Sequence, residues 1–125
     1  MSDPTTSRID GYHAHIYYHA ETRPVAERLA AAVTDRFAVE IGGFFDEPDG
    51  PHPRANLLIV FAPAEFATLV PWLMHNRDEL DVLVHALSGD PARDHGSDAL
   101  WLGTPLRLRP HTHRPSYRPD LLPSA

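Results

Sequence analysis

From Tyr12 to His19 the chain reads Tyr-His-Ala-His-Ile-Tyr-Tyr-His. Aromatic and β-branched residues in such a run predict a strand, whose side chains alternate between two faces. Tyr12, Ala14, Ile16 and Tyr18 then form an apolar stripe, while His13, His15, Tyr17 and His19 share the opposite face. Glu21 to Phe37 places Val25, Leu29, Ala32, Val33 and Phe37 at helical spacing, with Thr22 as an N-cap and Pro24 in the first turn. Val39 to Phe45 reads as a second strand, closed by the proline- and glycine-rich turn Asp46 to Pro53. Ala55 to Ala62 is apolar on both faces, as in a central strand covered on both sides. Helical spacing returns from Pro63 to Arg77 through Phe66, Leu69, Val70 and Leu73, and Leu80 to His85 gives a fourth strand before the turn Ser88-Gly89-Asp90. The order βαββαβ predicts an α+β, ferredoxin-like sandwich with an antiparallel sheet in the order 4-1-3-2.

A chain of 125 residues accommodates one such domain, assigned to 10–108 between a flexible N-terminus (1–9) and a Pro-rich tail (109–125). Asp98 to Leu108, with Leu100, Trp101, Leu102, Leu106 and Leu108, is apolar enough to pack on the domain or on a second subunit. The third strand supports a homodimer, because Leu57, Ile59 and Phe61, or Leu58 and Val60, need cover on whichever face the helices leave open.

Composition narrows the chemistry. The chain has no Cys, which removes disulfides, thiolate metal sites and Cys nucleophiles and leaves His, carboxylate and water as metal donors. The formal charge of −6 argues against a nucleic-acid partner. The polar first ten residues and the lack of a long apolar run predict a cytoplasmic protein with no membrane association. Nine His are the outlier. Two imidazoles one residue apart on a strand project in parallel and can reach one ion, although a strand with His on a solvated face reads the same way. In the 4-1-3-2 order the start of the first strand lies beside the end of the fourth, so His85 joins His13 and His15 as a metal ligand. Leu83 shares that face, and Val82 and Val84 point to the helices. His95, beyond the Gly89-Asp90-Pro91 turn, can return to the same mouth as a further ligand or an acid–base group. His52 is expected near the other end of the first strand, by Tyr17 and His19, unless its loop folds back; it and Tyr17 are candidate substrate contacts. His75 at a helix end offsets the helix dipole, His111 and His113 repeat the spacing in the tail, and Asp90 and Asp94 shape a turn or support a ligating His.

Six segments in one order then resemble a known family: Tyr-His-Ala-His-Ile-Tyr-Tyr (12–18), Gly-Pro-His-Pro (50–53), Val-Pro-Trp-Leu-Met-His-Asn-Arg (70–77), Leu-Val-His-Ala-Leu-Ser-Gly-Asp (83–90), Asp-His (94–95) and Ala-Leu-Trp-Leu-Gly-Thr-Pro-Leu (99–106). Over roughly residues 10 to 108 the chain resembles the fungal and bacterial DOPA 4,5-dioxygenase family. The family's His-Pro after the fourth strand reads His85-Ala86 here, and the tail from Arg109 looks like an addition. The resemblance implies a small ferredoxin-like, usually dimeric protein. Its implied activity is extradiol opening of L-DOPA to a seco-product that cyclises toward betalamic acid or muscaflavin. Such chemistry needs a redox metal, normally Fe(II), with open positions for a catechol and O2. The usual donor set is two His and one carboxylate, but no Asp or Glu lies on the proposed face, so the expected ligands are His13, His15 and His85. His95 and His52 are the expected acid–base residues. The competing expectation is a non-catalytic ferredoxin-like dimer that binds an aromatic ligand or a divalent metal, with Zn or Ni acquired by the clustered His.

Overall fold

The computed structural model describes residues 8–109. Strand β1 (Tyr12–Tyr17) leads through a single 3-10 turn at Ala20–Thr22 into α1 (Arg23–Arg36). Strands β2 (Val39–Phe45) and β3 (Asn56–Phe61) follow, and a 3-10 turn at Pro63–Glu65 opens α2 (Phe66–Asn76). Strand β4 (Val82–Ala86), the four-residue α3 (Pro91–Asp94) and β5 (Leu100–Leu102) complete the described chain. Every neighbouring pair of strands is antiparallel, in the order β2-β3-β1-β4-β5. The ferredoxin-like order expected from sequence is therefore present, with a fifth strand added outside β4. That strand is the apolar part of the segment from Asp98, and it packs on its own domain by pairing Val82, Leu83 and Val84 with Leu102, Trp101 and Leu100.

Alternation along the strands divides the apolar residues. Ala14, Ile16, Leu57, Ile59, Phe61, Val82, Val84 and Leu102 join Ala26, Leu29, Ala30 and Val33 of α1 and Leu69, Val70 and Leu73 of α2 in the main core. The residues between them, His13, His15, Tyr17, Leu58, Val60, Leu83 and His85, point to the other side of the sheet and are also buried. Thr22 stands where the N-cap was expected but does not cap α1; its hydroxyl oxygen accepts the His19 N–H at 2.8 Å and shapes the turn after β1. His19 is exposed just past the strand end, so the alternation ends at Tyr18, which still joins the main core.

Both faces of β3 are covered within one chain, since its six residues are all buried. Its apolarity is thereby accounted for without a second copy, and the reason given above for a dimer does not hold. His111 and His113 lie outside the described residues.

Gly42 sits at a register shift in β2, between Ile41 paired with Ile59 and Gly43 paired with Leu58. A Cβ there would come within 2.7 Å of Leu58 Cγ. Leu58 pairs with His15 across β3 and β1, so the glycine makes room beside the imidazoles. Gly42→Ala is expected to cost about 1–3 kcal/mol through overpacking, read as a fall in the midpoint of thermal unfolding.

Candidate metal centre

Register brings the strand-borne His together. His13 lies directly opposite His85 across β1 and β4, and His15 is two residues on, opposite Leu83. His13, His15 and His85 are 0, 3 and 2 % exposed, respectively, and each offers a nitrogen within 4.8 Å of the other two. Two more buried imidazoles cover them. The turn between β2 and β3 folds back over the sheet, so His52 lies against His15 with ring centroids 4.0 Å apart while keeping the expected place beside Tyr17. The helical turn α3 delivers His95, whose ring centroid is 4.1 Å from that of His85. His15, His52 and His95 form a second group whose nitrogens lie within 4.8 Å of one another.

The covering segments are anchored locally. Asp46 accepts from Tyr18 Oη at 2.7 Å and from Arg23 Nε at 2.9 Å, which pins the start of the β2–β3 connection to β1 and α1. Arg109 donates from its backbone to Pro51 O at 2.8 Å and from Nη2 to Gly50 O at 3.1 Å, beside His52. Asp90 caps α3 by accepting from the Arg93 N–H, and buried Asp94 accepts from the Ser88 hydroxyl at 2.6 Å and backbone N–H at 3.1 Å. Both carboxylates thus shape the turn that presents His95.

Outer partners fix the proton positions on three of the rings, assigned here from the acceptors available. Asn56 Nδ2 donates to Arg54 O at 3.4 Å and turns its Oδ1 to His15 Nδ1 at 2.9 Å. His85 Nδ1 donates to Ala86 O, and His95 Nδ1 to Pro91 O, both at 2.9 Å. These oxygens only accept, so each Nδ1 carries the proton and each Nε2 of a neutral ring carries a lone pair. The consequence is sharpest between His15 and His85, whose Nε2 atoms face each other at 3.2 Å. Two lone pairs cannot bond each other, whereas one cation satisfies both. Nitrogens about 2.1 Å from a common ion in a tetrahedral or octahedral arrangement lie about 3.0–3.4 Å apart, so the pair fits a metal such as zinc or iron. A distal N–H donated to an oxygen is the usual support of a ligating His.

A proton is a poor substitute for the metal. Burial above all, then the neighbouring imidazoles His52, His85 and His13, hold His15 well below the ordinary histidine range against the bond from Asn56. Burial and the rings of His95 and His13 do the same to His85. Tyr17 differs in kind, since burial pushes its phenol up and keeps it protonated. Its hydroxyl lies 2.7 Å from His52 Nδ1 and can donate or accept there, so that bond leaves the His52 proton position open. Trp101 of β5 stacks on the Tyr17 ring, with centroids 5.9 Å apart.

A model of the Dopa 4,5-dioxygenase family matches residues 12–112. The chain belongs to this family. Among relatives of the family member, the DOPA 4,5-dioxygenase of Amanita muscaria is 34% identical over 113 residues, which cover 82% of this chain and 50% of that protein. An uncharacterized 21.2 kDa protein of Botryotinia fuckeliana is 34% identical over 122 residues, covering 86% of this chain and 66% of its own length. The chain thus spans between half and two thirds of these curated relatives. A Nostoc punctiforme protein, described as a candidate dioxygenase in its crystal structure, shares 45% identity with a TM-score of 0.81, over 86% of this chain and 92% of that one.

The five expected His therefore meet in one cluster, with Tyr17 bonded to its edge, and a sixth participant was missed. Asn56 is 1 % exposed and supports His15. A lone amide opening the apolar run Leu57 to Phe61 was the available signal.

Two outcomes follow from this chemistry. Asn56→Leu, which leaves the His15 N–H without its acceptor, should weaken divalent-metal affinity about 10- to 100-fold; Asn56→Asp, which keeps an oxygen there, should stay nearer the parent, as measured by competitive metal titration. In the metal-free protein, the unfolded chain takes up protons on His15 and His85 below about pH 6.5 while the folded chain resists them. Stability is therefore retained above that pH and lost as pH falls through it, a trend that denaturant unfolding across pH 5 to 8 would reveal.

Proposed function

We propose that this protein is a metal-dependent extradiol dioxygenase that opens the ring of a catechol, either L-DOPA or a related compound. The observation that carries the reading is the pair of Nε2 atoms at 3.2 Å, each on a ring whose distal N–H is already donated to oxygen. Family membership and the name of the Amanita muscaria relative support the class of substrate.

His13, His15 and His85 would hold the ion, here Fe(II). Iron(II) held there supplies adjacent open positions and the redox chemistry by which an aromatic diol reacts with dioxygen. Everything else falls to the chain. Asn56 and the Ala86 carbonyl hold His15 and His85 correctly turned, with Nε2 inward, while burial and the neighbouring imidazoles keep both rings neutral. His52 and His95 lie over the strand ligands, where a catechol would approach, and exchange its protons, removing one as the diol binds and returning one as the ring opens. The two tautomers open to His52 through the Tyr17 hydroxyl suit it to that task, and Tyr17 also contributes a phenolic group to the substrate side. The burial around these residues excludes bulk water from the reacting atoms. A homodimer in the cytoplasm completes this reading. No helix among the described residues is long and apolar enough to cross a membrane.

A donor set made of His alone also suits zinc or nickel, which gives the binding-module reading its one specific support. Oxygen consumption separates the two. After anaerobic reconstitution with Fe(II), uptake of O2 and formation of a yellow product are expected with L-DOPA, caffeate, protocatechuate or catechol. His15→Ala should abolish metal binding and turnover while the circular dichroism spectrum stays native. Stoichiometric metal binding without O2 uptake from any of these diols would instead favour the binding module.

A further inference from the structure

The two groups of imidazoles overlap in a single residue. His13, His15 and His85 belong to paired strands, whereas His52 and His95 come from the segments that cover them, and only His15 belongs to both groups. We infer that the cluster offers two alternative seats for one divalent ion, a strand seat of His13, His15 and His85 and a loop seat of His15, His52 and His95. The inference rests on the metal-binding reading above and adds to it the second seat.

Three observations support the loop seat. Its nitrogens satisfy the same proximity as those of the strand seat, within 4.8 Å, and all three residues are buried. His95 is prepared as a ligand in the same manner as His85, with Nδ1–H donated to a backbone carbonyl at 2.9 Å and the lone pair left on Nε2. His52 can meet the same requirement when its Nδ1–H is donated to the Tyr17 oxygen 2.7 Å away. His15 has Nδ1 committed to Asn56 and one lone pair, on Nε2, so the two seats compete for it and fill one at a time. The seats also differ in mechanical character. His13 and His85 are cross-strand partners in the middle of the sheet, whereas His52 rides on a turn and His95 follows a four-residue helix. The loop seat is the outer one, since His52 and His95 come from the segments that cover the strands.

Cobalt(II) is the probe, because its visible absorption reports the ligand set and its titration gives affinity and stoichiometry without any turnover. The parent protein is expected to take up one Co(II). His13→Ala should still bind one ion through the loop seat, about 10- to 100-fold more weakly and with an altered spectrum. His52→Ala/His95→Ala, which keeps only the tighter strand seat, should bind one ion with an affinity and spectrum close to the parent's and distinct from those of His13→Ala. His13→Ala/His52→Ala, which breaks both seats, should bind none. Gln in place of Ala at each position serves as a volume-conserving control, with circular dichroism to establish folding. The inference is overturned if folded His13→Ala and His13→Gln bind no Co(II), or if His13→Ala/His52→Ala binds it as tightly as His13→Ala. Loss of binding in His15→Ala alongside either result leaves the strand-seat reading standing, whereas a parent protein that binds no ion defeats both.

Discussion

Five imidazoles buried against one another, with no carboxylate in either donor group, are the constraint around which the rest of this molecule is arranged. A neutral imidazole has one donor and one acceptor, and in a dry site each must be satisfied or the burial costs free energy. Backbone carbonyls of Ala86 and Pro91 and the amide of Asn56 take the donors of three rings. What remains is a concentration of lone pairs pointed inward, which a single cation could satisfy together, whereas burial and the neighbouring rings disfavour protonation of His15 and His85. The second face of the sheet therefore carries donor groups that could hold a metal ion, while the first performs the ordinary work of a core against α1 and α2.

Division of labour between the faces explains why so much was legible beforehand. The alternation in Tyr12 to Tyr17 fixes which residues share a side, and the βαββαβ order fixes which strand lies next to β1; together they place His85 with His13 and His15. Contributions that depend on loops were harder to read. The path of the β2–β3 turn follows from Asp46 bonding Tyr18 and Arg23 and from Arg109 reaching back to Gly50 and Pro51, contacts between segments remote in sequence. No periodicity records such contacts, so the placement of His52 beside His15 could only be left open. β5 was missed for a different reason, since three residues are too few to show alternation.

Support for the ligands comes from groups with no catalytic reputation. Asn56 opens β3 opposite Tyr17, and its amide connects the backbone of Arg54 to the ring of His15. Asp94 is buried yet spends its oxygens on Ser88, which holds the turn before α3 instead of joining the metal donors. The family relation locates this arrangement among dioxygenases, and a neutral, all-nitrogen donor set would leave the charge of a bound ion for other groups to balance.

The direct pairing of His13 with His85 has a consequence for folding as well as for chemistry. Side chains on a strand alternate strictly, so β1 aligned with its neighbours one residue out of step would turn Ala14 and Ile16 toward the covering loops and send the imidazoles under the helices. Such a molecule could keep its secondary structure and much of its compactness, but the ligands would be dispersed. Ion uptake at these residues would therefore act as an inspection of strand alignment, accepting only chains in which β1 and β4 have met in phase.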